Sequence, residues 1–232
     1  MQIFLDIETT GLELSDRICS VGYIFEDGET RECYETFIKP SCKIKTEAMA
    51  VHHITNDQVE KASPFSESKA LLFLNAHNDD KHVLVGHNIS FDLEMLAKEG
   101  FIWQGGIIDT LRCSRHLIEE IDRFSLQYLR YELGIYKTEA LNAKELGITL
   151  QAHSALSDAF HVQQLYHYLT EMVTEEALMR MSVEPTLLKK LNFGKYKSHY
   201  IEEVASQDRR YLEWLLQQDI DEDLSFSIRH YL

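Results

Sequence analysis

Apolar and polar positions alternate near the start of the chain in a pattern that predicts three β-strands. Residues 2–7 alternate and are rich in β-branched and aromatic side chains, and residues 17–25 and 31–38 show similar patterns. Residues 26–29, Glu-Asp-Gly-Glu, supply turn chemistry between the second and third runs. We therefore expect these strands to meet as hairpins.

Farther along the chain, the apolar residues take up helical spacing, interrupted by short apolar runs. The runs at 82–85 and 107–108 predict two brief strands. Helices are predicted at residues 46–53, 66–77, 91–98, 111–120, 125–133, 141–145 and 153–172. Hairpin strands followed by strands that alternate with helices predict an α/β fold, with a mixed sheet flanked by helices.

Pro185 follows a charged, methionine-rich stretch and marks the predicted boundary between two parts of the chain. Residues 1–175 form the predicted main domain. Residues 186–232 form a small C-terminal helical module, with helices predicted at 206–218 and 222–231. A module this small buries little apolar surface by itself, so we expect it to pack on the main domain.

The composition of the 232-residue chain is typical of a globular protein, with 44% hydrophobic and 26% charged residues. The sequence shows no apolar run that could span a bilayer and no secretion-type leader, so we expect a cytoplasmic protein with no membrane partner. The four cysteines lack CxxC spacing, which favours small apolar roles over zinc binding or disulfides. Walker A and dinucleotide-binding patterns are absent, so a nucleotide cofactor is not expected.

The formal net charge of −15 argues against non-specific nucleic-acid binding, which depends on lysine and arginine. Two segments are basic, in contrast to the negative charge of the whole chain. Residues 36–46 contain three lysines and residues 186–200 contain four, and neither segment contains an acid. Each segment is either a solvated surface or a contact for an anionic strand.

The first predicted strand leads into two acids, Asp6 and Glu8, followed by Thr-Thr-Gly. Side chains at positions i and i+2 leave a strand from the same face, so these two carboxylates repel each other unless a cation lies between them. Oxygen ligands suit Mg²⁺ or Mn²⁺, and two such ions form a clamp for phosphodiester hydrolysis. Two carboxylates are too few for that clamp, so the chain must bring further acids.

Asp92 and Asp158 are the candidates for these further acids. Asp92 opens a predicted helix after the strand at 82–85, where an acid also suits the helix dipole. Asp158 lies inside the predicted 153–172 helix, which His153 begins. Taken singly, each of these three residues is explained as well or better without catalysis.

Three motifs taken together resemble those of the DEDD 3′–5′ exonucleases of the DnaQ type, in the subgroup whose fifth residue is a histidine. The first motif, DxETTG, is present at residues 6–11. The second is present as Asn88 followed by Phe91-Asp92, and the third, HxAxxD, at residues 153–158. The motifs occur in the order of the family, and the resemblance covers roughly residues 1–170.

This resemblance implies an RNase H-like fold with the first strand at the centre of the sheet. It also implies that two Mg²⁺ or Mn²⁺ ions are bound by the four acids of the motifs, and that His153 is the general base. The implied metal-binding residues, which are also catalytic, are Asp6, Glu8, Asp92 and Asp158. The implied substrate-binding residues are Thr9, Thr10, Gly11, Leu12, His52, Asn88 and Phe91.

The role of Leu12 has an alternative. The resemblance implies that Leu12 wedges against the terminal base of the substrate. The sequence by itself fits equally well a plain turn with Leu12 in the core.

The tail of the chain resembles the exonuclease X branch of the same family. Residues 192–197, NFGKYK, and residues 211–214, YLEW, carry this likeness. Two positions differ from the family pattern, because His53 and Ser198 stand where glycine is expected. We expect the cleft to be narrower at His53 and the geometry of the turn to differ at Ser198.

The resemblance implies a metal-dependent 3′–5′ exodeoxyribonuclease that releases nucleoside monophosphates from DNA 3′ ends, in repair or degradation. Its partner would be single-stranded DNA or a DNA 3′ end. Three alternatives stay open: a proofreading subunit that docks a polymerase, an RNA 3′ exonuclease, and a non-catalytic nucleic-acid-binding protein. The intact set of acids argues against the last, because unused carboxylates crowded together are an electrostatic liability. A homodimer is also left open.

Overall fold

The computed structural model describes residues 1–28, 30–118, 121 and 123–232. Two predicted features end outside these residues: the turn at Glu29 and the helix end at Glu120. Over the described residues, the chain divides into two compact units, Met1–Ser182 and Val183–Leu232. None of the helices within those ranges has the length and apolar character needed to cross a membrane.

In the described part of the chain, a mixed sheet of five strands forms the centre of the first unit. Its strands are β1 (Gln2–Thr9), β2 (Ile18–Asp27), β3 (Thr30–Phe37), β4 (Val83–Gly86) and β5 (Gly106–Asp109). Their order across the sheet is β3-β2-β1-β4-β5. The β1–β2 and β2–β3 pairs are antiparallel, and the β1–β4 and β4–β5 pairs are parallel. The predicted mixed α/β sheet with a central first strand is confirmed.

Helices cover both faces of this sheet. They are α1 (Thr46–His52), α2 (Asn56–Val59), α3 (Lys69–Ala76), α4 (Ser90–Lys98), α5 (Thr110–Leu117), α6 (Leu126–Glu132), α7 (Glu139–Glu145), α8 (Ala155–Thr170) and α9 (Glu175–Met181). The apolar spacing does not predict α2, which is too short to show a period. Its sequence signal is the capping box that Thr55 forms with Gln58.

The two faces of β1 contribute to two separate apolar cores. Ile3 joins Leu74 of α3 and Met95 of α4 in one buried cluster. Phe4, which points to the opposite face, joins Phe160 of α8 in the second. The alternation along β1 therefore assigns one face to α3 and α4 and the other face to α8.

Helix α9 completes the core on the α8 face. Leu178 is fully buried in the cluster that contains Phe4. The Ser182 hydroxyl accepts a hydrogen bond of 2.8 Å from the backbone N–H of Asp109 at the end of β5. Residues after 175, which lie outside the predicted main domain, thus contribute to the core of the first unit. The signal for α9 in the sequence is its N-cap, Thr174, which accepts from the Ala177 N–H.

Gly22 allows α8 to approach the sheet beside Asp6. In the register of β1 and β2, Gly22 is the partner of Asp6. A Cβ atom at Gly22 would lie 2.2 Å from the backbone N of Leu156 and 2.3 Å from the carbonyl C of Ala155. Both atoms belong to the first turn of α8, so any side chain at position 22 would push the start of that helix off the sheet.

We expect Gly22→Ala to lower the free energy of unfolding by about 3 kcal/mol, the upper end of the usual range for overpacking. Urea denaturation measures this loss. Gly28→Ala is the control, since a Cβ there meets nothing within 4 Å and only the left-handed backbone is strained, at about 1 kcal/mol. A loss for Gly22→Ala no larger than that of the control would contradict the close approach.

The second unit is helical and has an apolar cluster of its own. Its helices are α10 (Ile201–Gln207), α11 (Arg209–Leu215) and α12 (Glu222–Tyr231). The buried members of the cluster are Leu191, Ile201, Val204, Leu212, Leu215, Leu224 and Ile228. The helix predicted at 222–231 is confirmed.

The helix predicted at 206–218 is present as α11 but begins only at Arg209, because Asp208 separates it from Ser206 and Gln207, which end α10. The backbone of Asp208 leaves the helical region (φ −145°, ψ 61°), and its side chain caps α11 by accepting from the Tyr211 N–H. Lys195 and the Tyr196 hydroxyl donate to the other carboxylate oxygen of Asp208 at 3.1 and 2.9 Å. One lysine of the 186–200 segment is therefore used inside this unit.

Both positions at which glycine was expected have a left-handed backbone. His53 has φ +61° and ends α1, and Ser198 has φ +68°. The Ser198 N–H donates to the Leu191 carbonyl at 2.7 Å, which closes the turn. Non-glycine residues adopt this conformation at a cost, so the departures in sequence do not prevent the turns from forming.

Candidate active site

Asp6 and Glu8 of β1 lie beside Asp158 in the first turn of α8. Asp6 and Glu8 follow Phe4 at alternate positions of β1, so their side chains point to the face that α8 covers. Ser154 caps α8 by accepting from the Ser157 N–H, which places Asp158 in the first turn. The carboxylate oxygens of the three acids lie within 4.8 Å of one another.

Asp92 joins this cluster from α4. The helix follows β4, buries Met95 and Leu96, and carries Asp92 in its first turn, where it is 6% exposed. The nearby backbone N–H groups of Asp92 and Ile7 act to lower the pKa of the Asp92 carboxyl and so favour its charged form. Among the neighbouring charges, that of Asp92 has the largest effect on Asp6. The fold thus brings all four predicted acids together.

Burial and mutual repulsion raise the pKa values of these acids. Burial raises the pKa of Asp6 well above its ordinary value, and the charges of Asp92 and Asp158 raise it further. Burial raises the pKa of Glu8 to about 8, with the charges of Asp158 and Asp92 adding to it. Burial is also the main reason that the pKa of Asp92 is raised to about 8. A divalent cation among the four would favour their charged forms.

This donor set fits Mg²⁺ or Mn²⁺. Within the described ranges, the acids whose oxygens come close enough to hold one ion jointly are Asp6, Glu8 and Asp158. Hard divalent ions prefer carboxylate oxygens, whereas zinc sites are typically built with histidine or cysteine. The chemistry of the donors and their unfavourable crowding both suit a hard cation.

We expect the free energy of unfolding of the metal-free protein to fall between about pH 5 and pH 8. Unfolded carboxylates have a pKa near 4, whereas Glu8 and Asp92 have pKa values of about 8 in the folded protein. Over this range the folded state keeps protons that the unfolded state has lost. Each retained proton lowers the stability by about 1.4 kcal/mol per pH unit.

Urea unfolding in EDTA across this pH range measures the effect. Saturating Mg²⁺ should abolish the loss, and Glu8→Gln should make the pH dependence shallower. A metal-free protein whose stability is constant or rises with pH would contradict the crowded carboxylates.

The loop of residues 9–16 is held in place by Thr10 and Asp16. The Thr10 hydroxyl donates to Asp16 at 2.8 Å and accepts from the Arg17 N–H at 3.0 Å. Lys45 lies 2.7 Å from the other oxygen of Asp16, and a Cβ on Gly11 would meet that same oxygen at 2.6 Å. A side chain at position 11 would therefore displace this ion pair.

Thr9 and Leu12 occupy different environments in this loop. Thr9 is buried and donates its hydroxyl to the Gly11 carbonyl at 2.8 Å. Leu12 is 83% exposed. The alternative that placed Leu12 in the core is wrong, and its side chain is available for contact with a ligand.

His52 is buried, and both of its ring nitrogens have partners inside the protein. Nδ1 accepts from the Ile54 N–H at 3.0 Å, so Nε2 carries the proton and donates to the Thr9 carbonyl at 3.1 Å. Burial lowers the pKa of His52, which favours this neutral ring. The histidine therefore ties the end of α1 to the loop that follows Glu8. A substrate contact through a ring nitrogen would break one of these bonds.

His153 is exposed and lies directly before α8, with a left-handed backbone of φ +54°. Its ring centre is 6.5 Å from that of His53. The next residue, Ser154, donates to Glu35 of β3 at 2.9 Å, and the Leu156 N–H donates to the same oxygen at 3.2 Å. Glu35 thus fixes the segment that carries His153. Sequence reasoning missed Glu35, which no motif includes.

Asn88 and Phe91 frame the entry to α4. Asn88 is exposed with φ +64°, and its N–H donates to Asp109 at 2.9 Å. Phe91 is half-buried against the core. Asp109 also caps α5 by accepting from the Leu111 N–H. Sequence reasoning missed Asp109, although an acid between a strand and a helix is a recognisable N-cap.

Comparison with known proteins assigns both parts of the chain. The profile of the RNase_T family, described as "Exonuclease", matches residues 3–166. The chain belongs to this exonuclease family. A second profile, described as "Exodeoxyribonuclease X-like C-terminal", matches residues 191–219. The predicted resemblance to the DnaQ-type exonucleases, and to the exonuclease X branch in particular, is confirmed.

The chain is similar to curated proteins of different lengths. Exodeoxyribonuclease 10 of Escherichia coli K12 is 29% identical over 233 residues, which cover 98% of this chain and 97% of that protein. The PolC-type DNA polymerase III of Thermotoga petrophila is 27% identical over 204 residues, which cover 84% of this chain but 14% of the polymerase.

Solved structures show the same fold. Exonuclease X in complex with 5′ overhanging duplex DNA has a TM-score of 0.60 and 21% identity, over 78% of this chain and 99% of that one. Escherichia coli exonuclease I in complex with a dA16 oligonucleotide has a TM-score of 0.55 and 20% identity, over 77% and 42%. The predicted RNase H-like fold and the predicted enzyme class, a 3′–5′ exonuclease that hydrolyses phosphodiester bonds, are confirmed.

Proposed function

We propose that this exonuclease removes nucleoside monophosphates from DNA 3′ ends in a reaction that requires two Mg²⁺ or Mn²⁺ ions. The observation that carries the proposal is the convergence of Asp6, Glu8 and Asp158, with oxygens within 4.8 Å of one another, in a chain of this family. DNA is favoured because the relative that spans nearly the whole chain is named an exodeoxyribonuclease. The two structural neighbours are described as complexes with DNA.

The four acids would hold the ions. The charges of Glu8, Asp92 and Asp158 all act on Asp6, so Asp6 would be a ligand shared by the ions that these acids hold. When bound, the ions neutralise the scissile phosphate and activate the attacking water. The acids themselves release their protons and provide oxygen ligands in a fixed arrangement.

His153 acts as the general base, accepting a proton from the attacking water at a ring nitrogen. It stands at the exposed end of α8, five residues before Asp158. Glu35 holds the neighbouring Ser154, so the ring can turn while its backbone stays in place.

The loop of residues 9–16 contacts the terminal nucleotide in this proposal. Leu12, which is exposed, packs against the terminal base, and Thr9 and Thr10 shape the loop from within. Asn88 and Phe91 line the approach to Asp92. His52 acts by holding the loop through the Thr9 carbonyl.

A proofreading role is the second candidate, favoured by the similarity to PolC-type polymerases. The exodeoxyribonuclease relative, which matches nearly the whole of both chains, favours an enzyme that works without a polymerase. In this proposal the enzyme acts in the cytoplasm, in DNA repair or degradation. A proofreading subunit would digest long DNA poorly by itself and would co-purify with a polymerase. Native mass spectrometry of the purified protein shows whether it forms a homodimer.

Matched DNA and RNA oligonucleotides, labelled at the 5′ end, test the substrate. We expect the DNA to shorten stepwise from its 3′ end with Mg²⁺ or Mn²⁺ and to stay intact in EDTA. Single strands and duplexes with 5′ overhangs should both be degraded. Faster digestion of RNA than of the matched DNA would replace the deoxyribonuclease assignment with the RNA alternative.

A further inference from the structure

A chain of polar side chains leads from Asp158 into the helices α6 and α7. Gln127 donates from Nε2 to Oδ1 of Asp158 at 3.0 Å. Arg130 donates from Nη1 to the carbonyl oxygen of Gln127 at 2.8 Å and forms a bidentate pair with Glu139. The side chains of Arg130 and Glu139 are 18% and 12% exposed, so this ion pair is shielded from solvent.

The contacts fix the direction of each hydrogen bond. Arg130 has donors but no acceptor, so Gln127 must turn its carbonyl oxygen toward the guanidinium. The amide nitrogen of Gln127 then faces Asp158, which accepts. Glu139 holds the guanidinium through two bonds, which fixes the plane of Arg130. Glu139 therefore fixes Arg130, Arg130 fixes the amide of Gln127, and this amide orients the Asp158 carboxylate.

His161 closes this chain into a ring. It lies one turn after Asp158 on α8 and is 6% exposed. Its Nδ1 is 3.5 Å from Oδ1 of Asp158, and its Nε2 is 3.7 Å from Glu139. Among the described residues, neither ring nitrogen has a hydrogen-bond partner. The imidazole therefore packs between the carboxylates of Asp158 and Glu139.

We propose that Gln127, Arg130, Glu139 and His161 are positioning residues, which hold Asp158 in the orientation needed to bind a divalent cation. This inference rests on the proposed function, in which Asp158 is a metal ligand. Gln127 donates to Oδ1 of Asp158, and His161 packs beside the same oxygen without a hydrogen bond, so both restrict the rotation of the carboxylate. Mutation of a residue that donates a hydrogen bond to a metal ligand, as Gln127 does, typically changes metal affinity by about 10- to 100-fold.

Direct binding of Mn²⁺ to the full chain, without DNA, tests this role. The electron paramagnetic resonance signal of the free ion gives the affinity. Gln127→Met keeps the length of the side chain and removes the amide, so it should weaken Mn²⁺ binding by about 10-fold or more. Gln127→Ala should give the same loss, and urea unfolding in EDTA shows that each variant is folded.

Gln164→Met is the matched control. Gln164 of α8 accepts a hydrogen bond from Asn142 of α7, so it joins two helices of the same layer through a different contact. Its loss should leave Mn²⁺ affinity unchanged. Unchanged affinity in the folded Gln127 variants, or an equal loss in Gln164→Met, would overturn the positioning role. A wild-type protein that binds no Mn²⁺ would instead overturn the metal site itself, and with it the proposed function.

Discussion

Asp158→Ala is expected to abolish the Mg²⁺-dependent release of mononucleotides, with a loss in turnover of at least about 10³-fold. Asp158 is one of three acids whose oxygens lie within 4.8 Å of one another. A bound metal ion contributes several kcal/mol to transition-state stabilisation, and each 1.4 kcal/mol corresponds to about a tenfold change in rate. Removing one carboxylate of a small set should therefore remove most of this contribution.

The release of nucleotides from a labelled DNA strand measures this effect, with Asp57→Ala as the matched control. Asp57 is an exposed acid in the first turn of α2, so its loss should leave turnover unchanged. Asp158→Ala should also stabilise the metal-free protein near neutral pH, because the charge of Asp158 raises the pKa values of Asp6 and Glu8. A stable Asp158→Ala protein with full activity would refute the site.

His153→Ala is expected to lower turnover by about 10²- to 10⁴-fold, the usual contribution of a general base. Substrate affinity should change little, because the proton transfer occurs in the transition state and His153 is exposed beside the cluster. Single-turnover rates and DNA binding in Ca²⁺ separate the two effects. Added imidazole should restore part of the turnover of His153→Ala.

The control for this variant is His230→Ala, which removes an exposed histidine of the second unit outside the basic 186–200 segment. It should leave both turnover and affinity unchanged. Equal losses of turnover and affinity in His153→Ala would count against the role of a base.

The position of Asp6 and Glu8 could be predicted because the periodicity of a strand is local. Alternation along β1 places both acids on one face, and the structure places them on the face covered by α8. The antiparallel pairing of β1 with β2 follows from the predicted hairpins, whereas its parallel pairing with β4 had no signal in the local pattern. Asp92 and Asp158 each lie in the first turn of a helix, where an acid is common for reasons unrelated to catalysis. Only the combination of the three motifs therefore pointed to them as site residues.

The residues that support the cluster could not be predicted, because their contacts depend on packing between distant segments. Glu35 reaches Ser154 across 119 positions, and Gln127 reaches Asp158 across 31. Gly22 has a role only once α8 lies on β2. The spacing of apolar residues predicts which face of each helix or strand is buried, but it does not predict these polar contacts.

In the second unit, a capping residue interrupts the helix that the apolar pattern predicts. Asp208 interrupts a run whose apolar spacing predicts one helix, because its side chain caps α11 while Lys195 and Tyr196 bind the other carboxylate oxygen. Periodicity shows that a segment is helical but does not show where a capping residue divides it.

Anomalous diffraction from a crystal grown with Mn²⁺ and a nucleoside 5′-monophosphate tests most directly whether the four acids form one metal site. We expect two Mn²⁺ peaks, with Asp6 as a ligand of both and with Glu8, Asp92 and Asp158 as the other protein ligands. Mn²⁺ bound at other residues, or acids that remain without metal at saturating Mn²⁺, would contradict this expectation.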